Sequence, residues 1–107
     1  MMKPELLDVI ELIVDVPKHN LKVGDQGTIV EQFTDTACEV EFTNDYGETL
    51  VCAAFSTDQF IVVWKNETRS WVSMCDRLTA IFDLLSGNRQ EEVLNFARSL
   101  YQQQETA

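Results

Sequence analysis

The chain has 107 residues, and its 18 acidic and 8 basic side chains give a formal net charge of -10. Nucleic-acid backbones and anionic membranes are bound by clustered lysines and arginines, so this charge argues against both kinds of partner. The length and the 45% hydrophobic content are those of one soluble domain, which can bury its core without metals or disulfides.

The first 64 residues consist of short strand-like runs separated by turn residues. The first run ends before Pro17, which cannot donate a backbone hydrogen bond to a sheet. Gly24 and Gly27, in the loop that follows, are available for positive φ angles. The pattern predicts five strands, over residues 6–14, 28–33, 38–42, 48–55 and 60–64. Five short strands with tight connections favour a small closed barrel, because closure removes exposed edges.

After Trp64 the apolar residues recur every three or four positions, which is typical of amphipathic helices. The pattern predicts a first helix over about 70–86 and a second over about 88–103. Gly87 stands where a left-handed C-terminal cap is common, and Asn88 is suited to cap the second helix. Because the connection is short, we expect the two helices to pack as an antiparallel hairpin.

The two parts of the chain differ in charge as well as in period. Residues 1–64 carry 12 acidic and 3 basic side chains, whereas residues 65–107 carry 6 and 5. The sequence therefore predicts an α+β protein with an acidic five-stranded barrel over 1–64 and an amphipathic helical hairpin over 65–107.

The cysteines and the N-terminus indicate a cytoplasmic protein. Three cysteines, with no CxxC spacing, suit free thiols in a reducing compartment better than a disulfide framework. Acidic residues interrupt the N-terminal apolar run where a signal peptide needs an uninterrupted apolar core. No apolar stretch approaches the roughly 20 residues that a membrane-spanning helix needs.

No catalytic motif is present in the sequence. Glu39 and Glu41 lie on one face of the third strand and resemble a carboxylate pair, but solvation of an exposed strand face explains them better. His19 is the only histidine and accompanies no nucleophile motif. The cysteines have no metal-ligand spacing. We therefore expect no enzymatic activity, no cofactor and no metal.

Six short motifs follow one another along residues 5–64: LLDV (6–9), VDVP (14–17), LKVGDQGTIV (21–30), EVEF (39–42), DYGET (45–49) and DQF (58–60). The series resembles a family of small bacterial SH3-like or KOW-like barrel domains of unknown function, which implies an SH3-like barrel here. Members of that family accompany small toxin-like proteins, so the resemblance implies an antitoxin or immunity role. EEVLNFARSL (91–100) is similar to the C-terminal helix of small bacterial antitoxin-type proteins.

The apolar faces of the two helices exceed what a short hairpin can bury in its own seam. Part of them must cover the barrel or contact another chain. Tryptophan is enriched at interaction hot spots, and two tryptophans flank the junction of the two parts, although they also suit the barrel core and its contact with the hairpin. We expect partner binding at Trp64, Trp71, Leu78, Phe82, Phe96 and Tyr101, together with Glu39 and Glu41.

These patterns favour a non-enzymatic, acidic interaction module, antitoxin-like or regulatory, that binds a basic protein partner. Complementary charge would steer association, and the apolar helix face would supply affinity. One alternative is a scaffold subunit that forms a homodimer through the hairpin, with the acidity serving solubility alone. Another is a small-ligand-binding barrel that uses the barrel mouth, which the sequence favours less because it contains no nucleophile, base or metal constellation.

Overall fold

The computed structural model describes residues 3–106. Residues 1, 2 and 107, which the predicted domain boundaries include, lie outside this range. Within it, an antiparallel six-stranded sheet is followed by two α-helices, so the fold is α+β. The strands are β1 (Val9–Leu12), β2 (Gln26–Thr34), β3 (Ala37–Thr43), β4 (Thr49–Ser56), β5 (Phe60–Lys65) and β6 (Ser70–Trp71), and the helices are α1 (Met74–Phe82) and α2 (Gly87–Thr106).

The strands lie in the order β4-β3-β2-β1-β5-β6, and every neighbouring pair is antiparallel. The first strand is therefore internal, with Val9 paired to Thr28 of β2 and to Trp64 of β5. The order leaves β4 and β6 as edges, so the described sheet is open, whereas the sequence predicted closure. The physical reason is that β5 pairs with β6 on the side that closure onto β4 would require.

The hydrophobic core lies against one face of this sheet. Alternate residues of a strand point to the same face, and the inward positions of β1 and β3 are apolar and buried. The rings of Phe42 and Phe55 meet nearly edge to face, with centroids 5.4 Å apart. Full burial of an apolar side chain of this size contributes about 1.5–3 kcal/mol. The core comprises Ile10, Leu12, Val16, Leu21, Ile29, Cys38, Val40, Phe42, Phe55, Phe60, Val62 and Val72.

The predicted limits of the last four sequence-derived strands agree with the structure to within two residues, but the first predicted strand is too long. Leu6 and Leu7 form a turn, with Leu7 in the left-handed region at φ 68°. The carboxylate of Asp8 holds this turn, because its Oδ2 accepts a 2.9 Å hydrogen bond from the backbone N–H of Glu5. An apolar run thus begins outside the sheet.

The segment after β5 is a strand where the sequence predicted the start of a helix. Trp71 pairs with Trp64, and the backbone N–H of Val72 donates to the carbonyl of Val63 at 2.9 Å. Ser73 then caps α1, since its hydroxyl accepts a hydrogen bond from the backbone N–H of Asp76 at 3.1 Å. The sheet therefore extends past residue 64, and the predicted boundary there falls inside it.

The second helix begins earlier than expected. Gly87 is its first residue and is not left-handed; the glycines with positive φ are Gly24 and Gly47. Ser86 precedes the helix, and its carbonyl accepts a 2.9 Å hydrogen bond from the backbone N–H of Gln90. Asn88 consequently lies within the first turn instead of capping it.

Gly27 lies within β2, where it allows a close approach to β3, and is not part of a turn. A Cβ atom at this position would lie 2.7 Å from Cγ1 of Val40 and 2.9 Å from Cε2 of Phe42. Both distances are shorter than real Cβ contacts, so only glycine lets β2 lie this close to the core residues of β3.

The two helices differ in how they contact the sheet. α1 packs against β5, whereas α2 has no extensive contact with any strand within the described residues. α2 is attached to the end of α1 by a 3.0 Å hydrogen bond from Gln90 Nε2 to the carbonyl of Phe82. Its apolar side chains Leu94, Phe96, Leu100 and Tyr101 are exposed, so the buried seam expected of a packed hairpin is not formed there.

Candidate functional site

The outer surface of β2 and β3 carries three glutamates, which we call the acidic face: Glu31, Glu39 and Glu41. Glu31 lies directly opposite Glu39, and Glu41 is two residues farther along β3 on the same side. Glu41 also accepts a 2.6 Å hydrogen bond from the hydroxyl of Thr49. Like charges directly opposite each other destabilise a sheet, so this face is an electrostatic cost that binding of cations would relieve.

The neighbouring strand β4 has no charged residue, and its outward side chains are small at Cys52, Ala54 and Ser56, with the larger Leu50 exposed near its start. Cys52 lies opposite Glu41, and Ala54 lies opposite Glu39. Desolvation and the charges of Glu39 and Glu41 raise the pKa of the Cys52 thiol, which also donates to Glu39. The thiol therefore stays protonated near neutral pH and is a poor nucleophile.

The apolar residues predicted for partner binding fall into two groups. Trp64 and Trp71 form a cross-strand pair, and the guanidinium of Arg69 lies 5.3 Å from the centre of the Trp64 ring. Trp71 is 62% exposed, whereas Trp64 is half-buried. This first group adjoins α1, where Leu78 is exposed and Phe82 is half-buried.

The second group lies on α2, where Phe96 and Tyr101 are 65% and 63% exposed. Phe96 and Leu100 are four residues apart and share one face of the helix, and Leu94 and Tyr101 are seven apart and share another. We call these four residues the α2 patch. The structure does not join the α2 patch to the acidic face, since α2 has no extensive contact with β2 or β3 among residues 3–106.

Between β5 and α1 lies a groove of about 440 Å³ that the sequence analysis missed. Its floor is apolar, and Asp35, Asp58 and Asp76 lie at its lining beside Lys3. Lys3 is within 3.9 Å of Asp35, an exposed pair that contributes little to stability. The lining comes from segments far apart in the sequence, from Lys3 to Leu84, so no local pattern could indicate it.

A buried ion pair between Asp8 and Lys65 was also missed. Oδ2 of Asp8 lies 2.6 Å from Nζ of Lys65, and Oδ1 accepts from the backbone N–H of Asn66 at 2.9 Å. Lys65 donates further to Glu5 Oε1 at 2.8 Å and to the carbonyl of Lys3 at 3.0 Å. Every donor of the ammonium group is thus used, and the cluster ties the N-terminal turn to the end of β5.

The other features to consider are His19, the side chains that could ligate a metal, and the length of the helices. His19 is half-buried, with its ring centroid 6.1 Å from that of the core residue Phe55. Among residues 3–106, no group of three or more His, Cys, Asp or Glu side chains is arranged to hold a metal ion. None of the helices in the described range has the length and apolar character needed to cross a bilayer. The described residues present an acidic face, an edge strand, exposed apolar side chains on α2 and the groove between β5 and α1.

Comparison with known proteins gives a family but no closer relative. No curated protein and no solved structure matches the chain. The family model of a domain of unknown function, DUF4926, matches residues 6–62, which include β1 to β4 and the first half of β5. Because this match spans more than half of the 107 residues, the chain belongs to the DUF4926 family of domains of unknown function.

Proposed function

We propose that this protein is a non-enzymatic interaction module that binds a basic protein partner in an antitoxin-like or regulatory role. The observation that carries the proposal is the α2 patch on a 20-residue helix. A folded chain gains by burying large apolar side chains, and a helix that exposes four of them offers surface that a partner can cover. Aromatic residues such as Phe96 and Tyr101 supply binding free energy when a partner covers them.

Charge supports a basic partner. The region up to residue 64 has a formal charge of -9, from 12 acidic and 3 basic side chains, and the acidic face is part of it. Such a surface attracts a cationic protein over a distance comparable to the Debye length, about 8–10 Å at physiological salt. Attraction of this kind raises the association rate more than the lifetime of the complex.

The antitoxin-like role and an SH3-like arrangement of the sheet are part of the same proposal. Residues from β1 to β5 contribute to one shared core, which supports a strongly curved sheet of the SH3-like kind. The antitoxin-like role rests on the similarity of EEVLNFARSL, residues 91–100, to the C-terminal helix of small bacterial antitoxin-type proteins. The α2 patch lies within and next to that segment.

Affinity capture from the native host tests the proposal with full-length bait proteins. We expect the natural protein to retain one stoichiometric basic partner. The double variant Phe96→Gln/Leu100→Gln should lose most of it, because glutamine preserves helix propensity and removes the apolar contact. The variant Asn95→Gln changes the same helix on a different face from those two residues and serves as the control.

A second pair of variants tests the charge argument once the partner is in hand. Glu39→Gln/Glu41→Gln should slow association several-fold at low salt and little at high salt. Glu67→Gln/Glu91→Gln removes two charges elsewhere and should have a smaller effect. If the bait retains only copies of itself, as a dimer that the α2 variant dissociates, the homodimeric scaffold replaces the interaction module.

A further inference from the structure

The strand β4 is an eight-residue sheet edge, Thr49–Ser56, with one free side. Its pairing with β3 runs in regular register from Ser56 to Val51, and no other described strand pairs with it. Natural proteins usually protect such edges with charges, prolines, bulges or a covering element. The sequence of β4, TLVCAAFS, contains no charge and no proline, so the edge is open to an additional strand.

The register shows which backbone groups of β4 are free. The backbone N–H of Thr57 donates to the carbonyl of Thr36 at 3.0 Å, one step beyond the pair Ala37–Ser56. Residues of an antiparallel strand alternate between bonding to one neighbour and bonding to the other side. Phe55, Ala53 and Val51 therefore bond to β3, and the N–H and C=O groups that point away belong to Ser56, Ala54 and Cys52.

The side chains around this edge define what an added strand must contain. Cys52 and Ala54 face the same side as Glu41 and Glu39, and their small size leaves the acidic face open to a neighbour. An added strand would lie about 10 Å from β3, a distance that a long cationic side chain and a glutamate can span together. On the opposite side, Val51 and Ala53 are half-buried against the core and offer apolar contact.

We propose that β4 binds an extended segment of a partner, with lysine or arginine alternating with β-branched apolar residues, as an additional antiparallel strand. The basic residues lie over the acidic face, and the apolar residues lie beside Val51 and Ala53. The inference deepens the proposed function, because it rests on a basic partner and names how that partner is held. A second copy of this chain is the weaker occupant: its β4 supplies no cation, and each copy has a net charge of -10.

An octapeptide of alternating lysine and valine is the probe. Its lysines would lie opposite Cys52 and Ala54, so the lysine residues would also carry the backbone N–H groups that bond to β4. Methylation of the lysine backbone nitrogens keeps the charge and removes those bonds, and should weaken binding at least tenfold. Methylation of the valine nitrogens, which would point to solvent, is the matched control and should change binding less than threefold. Equal binding of both methylated peptides would overturn strand addition.

Two footprints locate the peptide. Amide hydrogen exchange should slow at least tenfold at Cys52, Ala54 and Ser56 when the peptide binds. Alkylation of the Cys52 thiol should also slow, while the exposed thiol of Cys75 on α1 serves as the internal reference. Protection elsewhere with none on β4 would overturn the proposal. Protection of the same amides without peptide, increasing with protein concentration, would replace the peptide by a second copy.

Variants at one position complete the test. Ala54→Pro removes an outward N–H and should weaken peptide binding at least tenfold, with Ala54→Ser as the control. If Ala54→Pro does not fold, Ala54→Lys is the alternative variant. It places a cation on the edge strand, which repels the lysines of the peptide and should also weaken peptide binding. Phe96→Gln/Leu100→Gln should leave peptide binding unchanged. Loss of host-partner capture in that α2 variant, together with unaltered capture by the Ala54 variants, would reject the β4 inference and retain the proposed function.

Discussion

Asp8 and Lys65 are 57 residues apart in the sequence and form the main buried ionic contact of the described chain. Asp8 is fully buried, and its two carboxylate oxygens accept from Lys65, from the backbone of Glu5 and from the backbone of Asn66. Removing one partner of such a pair leaves an uncompensated buried charge, whereas removing both costs much less. The cluster therefore specifies how the N-terminal turn joins the end of β5.

A double-mutant cycle tests this role. We expect Asp8→Ala and Lys65→Met each to lower the free energy of unfolding by about 3–5 kcal/mol. The loss of free energy of unfolding in the double variant should be smaller than the sum of the two single losses by at least about 1 kcal/mol. Urea denaturation measures all three, and Lys3→Ala, which affects only an exposed pair, should stay within about 0.5 kcal/mol of the natural protein. Additive losses would show that the two groups do not interact.

The same lysine predicts a dependence on alkaline pH. Burial alone lowers the pKa of the Lys65 ammonium, but its hydrogen bonds to Asp8 and Glu5, together with their charges, outweigh burial and raise the pKa above its ordinary value of 10.5. The folded protein thus holds this proton more tightly than the unfolded chain. The resulting stability is present in full below about pH 10.5 and is lost as the pH rises through the folded pKa.

Urea denaturation between pH 8 and pH 12 measures this loss. Above pH 10.5 the free energy of unfolding of the natural protein should fall faster than that of Lys65→Met. The difference between the two free energies of unfolding should therefore become smaller. The two proteins share every other titratable side chain, so the comparison isolates the contribution of Lys65. A constant difference across this range would show that the pKa of Lys65 is the same in the folded and unfolded states.

At the scale of elements, the long helix and the sheet contribute differently to stability. Phe42 lies in β3 with 2% exposure, whereas Phe96 lies in α2 with 65% exposure. The first side chain is packed by the core, and the second has solvent on most of its surface. Identical substitutions at the two positions therefore separate what folds the protein from what its surface presents to a partner.

Thermal or urea unfolding of Phe42→Ala and Phe96→Ala measures this contrast. Phe42→Ala should lower the free energy of unfolding by about 3–5 kcal/mol, because it opens a cavity and removes the contact with Phe55. Phe96→Ala should change it by less than about 0.5 kcal/mol, since alanine also has the higher helix propensity. A large loss for Phe96→Ala would mean that α2 folds back and buries its patch on the same chain.

At the scale of the molecule, the excess of acidic residues acts on the whole fold. The net charge of -10 means that carboxylates across the surface repel one another, and three of them are close together on the acidic face. Salt screens repulsion between exposed charges but affects the buried pair of Asp8 and Lys65 less. The whole protein should therefore be least stable at low ionic strength.

Urea denaturation in 0.01 M and 0.5 M NaCl tests this expectation. The free energy of unfolding should rise by about 1 kcal/mol at the higher salt. The variant Glu39→Gln/Glu41→Gln removes two charges from the acidic face, so its rise should be smaller. A fall in stability with salt would show that favourable exposed ion pairs outweigh the repulsion.

Local patterns in the sequence predicted a large part of this architecture. Short apolar or alternating runs between turn residues located β2 to β5 to within two residues, and the change of period after Trp64 located two helices. The uneven distribution of charge and the membership of an uncharacterised family were also present in the sequence. These features depend on neighbours along the chain, so they can be read without knowing the tertiary structure.

Other features depend on which distant segments meet, and only the tertiary structure decided them. Asp8 finds Lys65 across 57 residues, and Ser70–Trp71 become a strand because β5 offers them a free side. The sheet leaves β4 as an edge, and α2 keeps its patch exposed although its pattern alone equally suits burial in a hairpin. The spacing of apolar residues along a helix predicts that the helix has an apolar face. Only the packing of the other elements determines whether that face is covered and by what.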